Sequence, residues 1–197
     1  PVQLQEMRSQ VVGAKLGQDA VRTSLMAGLI GLVLVFAFMI IYYRIPGLAA
    51  SIALVMYTAL VIVLLSAFNE EITLTLPGIA GIILGIGMAV DANCIIFARI
   101  REEIGAGKSV RTAIDAGFAK AFSAIIDGNV TTLIAAGVLY FIGSGTVKGF
   151  AQTLALGIVV SMFTALVITK NILKSFYAVG LQDEKIYGKT VYKKTIN

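Results

Sequence analysis

The sequence predicts an all-α membrane protein built as a bundle of five transmembrane helices. Of its 197 residues, 58% are hydrophobic and 14% are charged, and the mean hydropathy is +0.90. Soluble domains carry a charge on about a quarter of their residues. Five apolar runs are long enough to cross a bilayer, which takes about 20 residues in a helix. The five predicted spans cover residues 23–43, 47–68, 76–98, 122–142 and 149–169.

The spans divide the chain into three regions. Residues 1–22 are predicted to end an extracytoplasmic region and to link it to the bundle, which covers residues 23–172. Residues 173–197 are predicted to form a cytoplasmic tail. The connections between spans are short, apart from the connector at residues 99–121.

Basic residues predict the orientation of the bundle. The connector at residues 99–121 contains several Lys and Arg residues, whereas residues 69–75 contain Glu but neither Lys nor Arg. Because Lys and Arg are enriched in cytoplasmic loops, the connector and the tail are predicted to be cytoplasmic and the N-terminal end to lie outside. An outside N-terminal segment needs a preceding span, so we expect a longer parent protein with a further membrane segment upstream.

The connector is predicted to contain an amphipathic helix. Gly105 and Gly107 break the extension of the third span, and Ser109 is a suitable N-cap for a helix over residues 110–121. Apolar and small residues recur there at helical spacing, which predicts a helix lying at the cytoplasmic interface. The alternative is a connector that is covered by the rest of the protein.

Asp91 is an ionisable residue inside the apolar third span. A charge at the bilayer centre costs about 2.5–3.5 kcal/mol on insertion scales, so an intramembrane Asp is a functional-site hypothesis. Neither a Lys nor an Arg lies three or four residues away to neutralise it. Small residues in the same span would let another helix approach closely, which predicts a packing centre. These residues are Gly78, Gly81, Gly85 and Ala89.

A second aspartate, Asp127, lies near the start of the fourth span and is followed by several polar residues. The third span runs inward and the fourth outward, which places Asp91 and Asp127 at depths that differ by about 3 Å. Two neighbouring carboxylates in a low dielectric do not ionise together easily, so one of them can load and release a proton. A purely structural role remains the alternative, more so for Asp127.

Two segments resemble the membrane portion of the SecD family, a branch of the resistance-nodulation-division superfamily. They are TLPGIAGIILGIGMAVDANCIIFARIREE and AFSAIIDGNVTTLIAAGVLYFIGSGTVKGFAQTLALGI. The resemblance implies that the five spans correspond to helices two to six of a SecD-type half. It also implies that Asp91 and Asp127 are ion-coupling residues. The residues implied to support them are Gly87, Asn93, Asn129, Thr131 and Thr132.

The resemblance further implies a function and partners. A SecD-type subunit is expected to couple a proton or sodium gradient to the extracytoplasmic pulling or release of preproteins. Its expected partners are SecF, the SecYEG channel, other Sec accessory membrane proteins, membrane lipid and preproteins, the last through a large extracytoplasmic domain. The expected location is a bacterial or archaeal-type plasma membrane.

Several classes of protein are disfavoured. The absence of His and the single Cys94 argue against a metal centre or an internal disulfide. The net charge of +5 fits membrane orientation better than a nucleic-acid partner. We therefore expect neither a cofactor nor enzymatic activity.

Two alternatives stay open at the level of the sequence. An ion-coupled small-molecule exporter of the same superfamily would share the central Asp, although the ARIREE and DGNVTTL segments favour SecD. A remote alternative is an intramembrane aspartyl protease, in which two aspartates share a proton. That family is expected to carry Gly-x-Gly-Asp, whereas Met88 follows Gly87 here.

Overall fold

The fold is a helical bundle, seen in a computed structural model that describes residues 14–68, 70, 72, 75–181, 183 and 186–187, with side chains from residue 19 onward. Five helical segments within these ranges are long and apolar enough to cross a membrane, so the predicted fold class is confirmed. The predicted N-terminal linker up to residue 13 and the tail beyond residue 187 lie outside the described residues, as do Glu71 and Lys185.

The described helices are longer than the predicted spans. They are α1 (Ala14–Tyr43), α2 (Ile45–Ala67), α3 (Leu76–Gly105), α4 (Val110–Ile142), α5 (Thr146–Phe163), a π-helical segment (Thr164–Ile168) and α6 (Thr169–Ala178). The last three run on without a break and together cover the fifth span.

Local sequence signals set several helix starts. The Thr75 hydroxyl accepts a hydrogen bond from the backbone N–H of Gly78 at 3.1 Å and caps α3, and Pro77 follows in the first turn. Both features favour a helix start, because a capping oxygen satisfies a free N–H and Pro needs no backbone donor there. The predicted N-cap at Ser109 is confirmed, since its hydroxyl accepts from the N–H of Thr112 at 3.5 Å.

Helix α3 lies at the centre of the bundle, where it contacts α1, α2, α4 and α5. Its glycines allow a very close approach to α5. A Cβ atom placed on Gly81 would lie 2.5 Å from the Thr153 hydroxyl oxygen and 3.3 Å from the Phe150 carbonyl oxygen. A Cβ on Gly85 would overlap the Tyr57 hydroxyl and lie 3.6 Å from the Cα of Gly157. The α3–α5 contact therefore depends on the absence of side chains along one face of α3.

The connector at residues 99–121 differs from the predicted interfacial helix. Its first part extends α3 to Gly105, and its second part is the start of a continuous α4. A Cβ on Gly117 would lie 2.8 Å from the backbone nitrogen of Ile100, so the small and apolar face packs against α3. The protein itself covers that face, and no Pro interrupts the helix before the fourth span. The buried residues of this face are Val110, Ala113, Ile114, Gly117, Phe118 and Ala121.

Two ion-pair groups join the helix ends on the connector side of the bundle. The buried Glu103 carboxylate on α3 pairs with Lys108 and Lys120, each at 2.5 Å. The Asp115 carboxylate on α4 pairs with Lys174 at 2.8 Å and with Lys170 at 3.4 Å, both on α6. These groups link α3 to α4 and α4 to α6.

The fifth span changes its winding near that same end. The π-helical segment precedes Thr169, whose hydroxyl oxygen lies 3.2 Å from the carbonyl oxygen of Thr164, five residues back. Single-turn π segments inside α-helices are uncommon and often occur at functional sites. After α6 the chain returns to the core, where the Tyr187 side chain is fully buried.

Candidate functional site

Asp91 lies on a face of α3 that stays exposed in the bundle. The residues of this face, which we call the Asp91 face, are exposed along most of the helix. They are Ala80, Leu84, Gly87, Asp91 and Ala98. A Cβ atom on Gly87 would find no atom within 4 Å. An open face on the most central helix of the bundle is unusual, and it carries an ionisable group.

A small polar cavity next to Asp91 joins α3 to α4. Its volume is about 140 Å³, and Asp91 contributes the carboxylate. Asn129 and Thr132 contribute polar groups from α4, and Met88 and Ile125 contribute apolar walls. The cavity is therefore a partly apolar site with one carboxylate and two neutral polar side chains.

The two polar side chains from α4 keep acceptor atoms available. The side-chain N–H of Asn129 donates to the Ile125 carbonyl oxygen at 2.7 Å, and the Thr132 hydroxyl donates to the Gly128 carbonyl oxygen at 3.0 Å. Both bonds occupy donors, which leaves the amide oxygen of Asn129 and the hydroxyl oxygen of Thr132 as acceptors. Acceptors suit a protonated Asp91, which has one O–H to donate, or a small cation.

Asp127 does not line this cavity, although its depth was predicted to match that of Asp91. Its carboxylate is exposed and accepts a hydrogen bond from the Ser123 hydroxyl at 3.3 Å. The Thr131 hydroxyl donates to the backbone carbonyl of Asp127 at 2.9 Å, not to the carboxylate. Asp127 and Thr131 therefore share a face of α4 outside the cavity.

Asn93 is turned away from Asp91, because two residues correspond to about 200° around a helix. It is buried, and its amide N–H donates to the Ala89 carbonyl oxygen at 3.1 Å. Its amide oxygen accepts from the Thr169 hydroxyl at 3.0 Å. Asn93 thus connects α3 to the start of α6, and Thr169 is a polar partner that the sequence analysis missed. Its only sequence signal is a hydroxyl residue at the end of an apolar run.

The four predicted packing residues of α3 are buried on the face that is turned from Asp91. Gly78, Gly81 and Gly85 face α5, and Ala89 packs in a cluster with Leu54, Tyr57, Val61 and Val160. Among the described residues no group of three or more His, Cys, Asp or Glu side chains is arranged to hold a metal ion.

The sequence matches a known family over almost all of the described chain. The family is described as "Protein export membrane protein SecD/SecF, C-terminal", and the match covers residues 1–179. The protein translocase subunit SecD of Acidaminococcus fermentans is 55% identical over 88% of this chain and 41% of its own length. The SecD subunit of a Synechocystis species is 54% identical over 88% of this chain and 36% of its own length.

Solved structures agree with the sequence relatives. The crystal structure of SecDF from Thermus thermophilus, described as a translocon-associated membrane protein, superposes with a TM-score of 0.82 and 43% identity. It covers 85% of this chain, which corresponds to 23% of that chain. SecDF in a "super-membrane-facing form" gives a TM-score of 0.75 with 42% identity, over 83% of this chain and 22% of that one.

The chain spans less than half the length of the curated relatives it matches. The family match at residues 1–179 includes α3 and α4, which carry the candidate site. The chain therefore belongs to the SecD/SecF C-terminal family of protein export membrane proteins, and its sequence relatives are SecD subunits.

Proposed function

We propose that the chain is the membrane part of a Sec translocase subunit that couples an ion gradient to the movement or release of preproteins outside the membrane. Asp91 is the ion-coupling carboxylate in this proposal. The observation that carries it is the position of Asp91 on an uncovered face of the central helix, beside a small polar cavity. Membership of the protein-export family supports the assignment.

The Asp91 face is the proposed contact surface for a partner helix bundle. A carboxylate exposed to lipid is costly, and intramembrane charges almost always face a bundle interior or a water-filled cavity. Gly87 leaves room for a second helix to approach closely, as small residues do in membrane interfaces. The solved relatives are named SecDF, which favours SecF as the partner. The SecYEG channel and the other Sec accessory proteins are the further proposed partners.

A proton is the favoured coupling ion, and sodium is the alternative. The cavity contains a single carboxylate with two neutral acceptors, which is a poor cage for a metal cation but suits a carboxyl that gains and loses a proton. One elementary charge that crosses the membrane delivers about 2.3 kcal/mol per 100 mV. Several such steps would drive a conformational change at the extracytoplasmic side.

The test is Asp91→Asn in the full-length protein assembled with its partner. Asn has nearly the same shape but cannot be protonated or carry charge, so we expect normal assembly and loss of gradient-stimulated export. The matched control is Glu102→Gln, which removes an exposed carboxylate outside the cavity and should retain coupling. Full gradient-stimulated export by Asp91→Asn would rule out an essential ion-coupling role. Replacing the proton gradient by a sodium gradient in the same assay identifies the ion.

Asp127 has a supporting role in the proposal. Because it lies outside the cavity and already bonds Ser123, Asp127→Asn should cause a milder loss of gradient-stimulated export than Asp91→Asn. Wild-type coupling in the Asp127→Asn protein would leave Asp127 with a structural role only.

The proposed orientation has the N-terminal end outside and the tail in the cytoplasm. It predicts that Ser144, between α4 and α5, is extracytoplasmic and that Ala106, between α3 and α4, is cytoplasmic. Both residues are exposed. In a Cys94→Ala background, a membrane-impermeant thiol reagent added to intact cells should label Ser144→Cys and not Ala106→Cys. The reverse pattern would invert the orientation.

A further inference from the structure

A second cavity lies at the connector end of the bundle, between the start of α4 and α6. Its volume is about 380 Å³, and its lining combines charged and apolar side chains. The lining residues are Arg111, Ile114, Asp115, Lys174, Tyr177 and Ala178. The cavity is separate from the one at Asp91, and the proposed ion coupling does not use it.

Positive charge exceeds negative charge in and around this cavity. The one carboxylate, Asp115, is already paired with Lys174 at 2.8 Å and with Lys170 at 3.4 Å. No carboxylate among the described residues lies within 4.0 Å of the Arg111 guanidinium group in an ion pair. A guanidinium group presents a planar set of donors that matches a phosphate group in two-point contact. The cavity therefore offers an unused phosphate-binding group beside two lysines.

The Lys174 end of the cavity lies at the depth of the headgroup layer of the membrane. Lys174 lies five residues beyond the predicted end of the fifth span at residue 169, which corresponds to about 8 Å along a helix. The polar layer on each side of the hydrocarbon core is about 5–8 Å thick. Ile114 and Ala178 add apolar surface, and Val179 next to them is 83% exposed.

We propose that this cavity binds the phosphate headgroup of an anionic phospholipid in the cytoplasmic leaflet. Arg111 makes the principal contact with the phosphate, and Lys174 contributes a second positive charge while it holds Asp115. Basic pockets at the cytoplasmic ends of membrane helices are suited to such headgroups, and each basic group near an anionic surface contributes about 1 kcal/mol. The sequence beyond α6 adds Lys185, Lys189, Lys193 and Lys194 on the same predicted side.

The experiment uses the full-length protein assembled with its partner, purified in neutral detergent and titrated with phosphatidylglycerol or phosphatidylcholine. Native mass spectrometry measures the lipid-bound fraction. We expect binding of phosphatidylglycerol in preference to phosphatidylcholine. Arg111→Gln should weaken phosphatidylglycerol binding about fivefold, the factor equivalent to about 1 kcal/mol. Arg111 makes no ion pair with the described residues, so its replacement breaks none of them.

The matched control is Arg99→Gln, which removes one positive charge from an exposed pair with Glu102 outside the cavity. Arg99→Gln should leave the affinity unchanged. Arg111→Lys keeps the charge and loses the two-point contact, so it should bind with intermediate affinity, and it provides the comparison if Arg111→Gln folds poorly.

Three results would overturn the proposal. Equal losses of phosphatidylglycerol affinity in Arg111→Gln and Arg99→Gln would show that the lipid is attracted to a basic surface and not to this cavity. Equal binding of the two lipids would remove the role of the anionic headgroup. Displacement of phosphatidylglycerol by glycerol phosphate at equal concentration would assign the cavity to a soluble phosphate compound instead of a lipid.

Discussion

The two faces of α3 differ in what surrounds them, although they belong to one helix and both contain glycine. On one face, a Cβ atom on Gly81 would overlap Thr153 of α5, and a Cβ atom on Gly85 would overlap Tyr57 of α2. On the Asp91 face, Gly87 has no neighbouring atom within 4 Å of a Cβ position. The first face is an interface within the bundle, whereas none of the described residues packs against Gly87 on the second.

The difference shows that small residues in a membrane helix mark close approach without identifying the partner. Interfaces in membranes form by close packing and hydrogen bonding because apolar burial gives no gain over lipid. A polar group on a small-residue face then has to be matched by the partner. Asp91 supplies that polar group on the second face, whereas the close contacts of Gly81 and Gly85 involve no charged side chain.

The largest expected effect is a difference in the free energy of unfolding between substitutions on the two faces of α3. Gly81→Leu forces a side chain into the Thr153 and Phe150 contact, where overpacking costs about 1–3 kcal/mol. Gly87→Leu is the matched change on the Asp91 face and should leave the free energy of unfolding of the chain alone nearly unchanged. Denaturant titration in detergent micelles measures both. An equal loss of unfolding free energy in the two variants would show that the Asp91 face is packed within the chain.

The next effect concerns coverage of the Asp91 face in the assembled protein. A spin label at Leu84→Cys in a Cys94→Ala background should be reached readily by oxygen in the chain alone, where Leu84 is 49% exposed. Assembly with the partner should lower that accessibility sharply. Val159→Cys on α5, where Val159 is 57% exposed, is the control and should stay accessible. An unchanged label at position 84 would place the partner elsewhere.

A smaller effect tests the polar contact on the packed side of α3. Asn93→Ala and Thr169→Val each remove one partner of the 3.0 Å hydrogen bond between α3 and α6. Interhelical hydrogen bonds in membrane proteins average about 0.6 kcal/mol in double-mutant cycles. We expect a coupling free energy of about that size from four unfolding measurements. Additive losses would mean that the bond does not stabilise the bundle.

The smallest effect is expected for Asp91 itself when the chain is alone. Asp91 is exposed and makes no hydrogen bond or ion pair with the described residues, so Asp91→Asn should change the free energy of unfolding by less than about 0.5 kcal/mol. The same substitution should remove coupled export in the assembled protein. A large loss of stability would identify a structural partner for Asp91 within the bundle.

The five spans could be predicted because membrane helices must be apolar over a length set by the bilayer. Helix ends were less predictable for the same reason, since hydropathy reports the length in lipid and not the length of the helix. Helix α1 begins at Ala14, and α3 reaches Gly105 through the charged Arg99–Glu103 stretch. The connector was expected at the membrane interface because an amphipathic pattern does not distinguish a lipid surface from a protein surface.

The candidate site could be predicted in part. An Asp in an apolar run stands out by its cost, and its depth follows from the helix rise. The direction in which a side chain points depends on the rotation of each helix about its axis, which packing sets. Asn129 and Thr132 therefore face Asp91 across the cavity, whereas Asp127 and Thr131 do not line it. The contact of Asn93 with Thr169 joins distant positions and left no pattern in the sequence.

The π-helical segment at Thr164–Ile168 lies between α5 and α6 and sets the rotation of one about the helix axis relative to the other. Each residue of an α-helix turns the chain by about 100°, so one residue more or less before Thr169 would rotate all that follows by that angle. A single deletion there would carry Lys170 and Lys174 away from Asp115 and Thr169 away from Asn93, while the α5 contacts stayed in place. The segment thus sets the rotation of α6 relative to α5. The number of residues in this span is therefore constrained more tightly than their hydrophobicity.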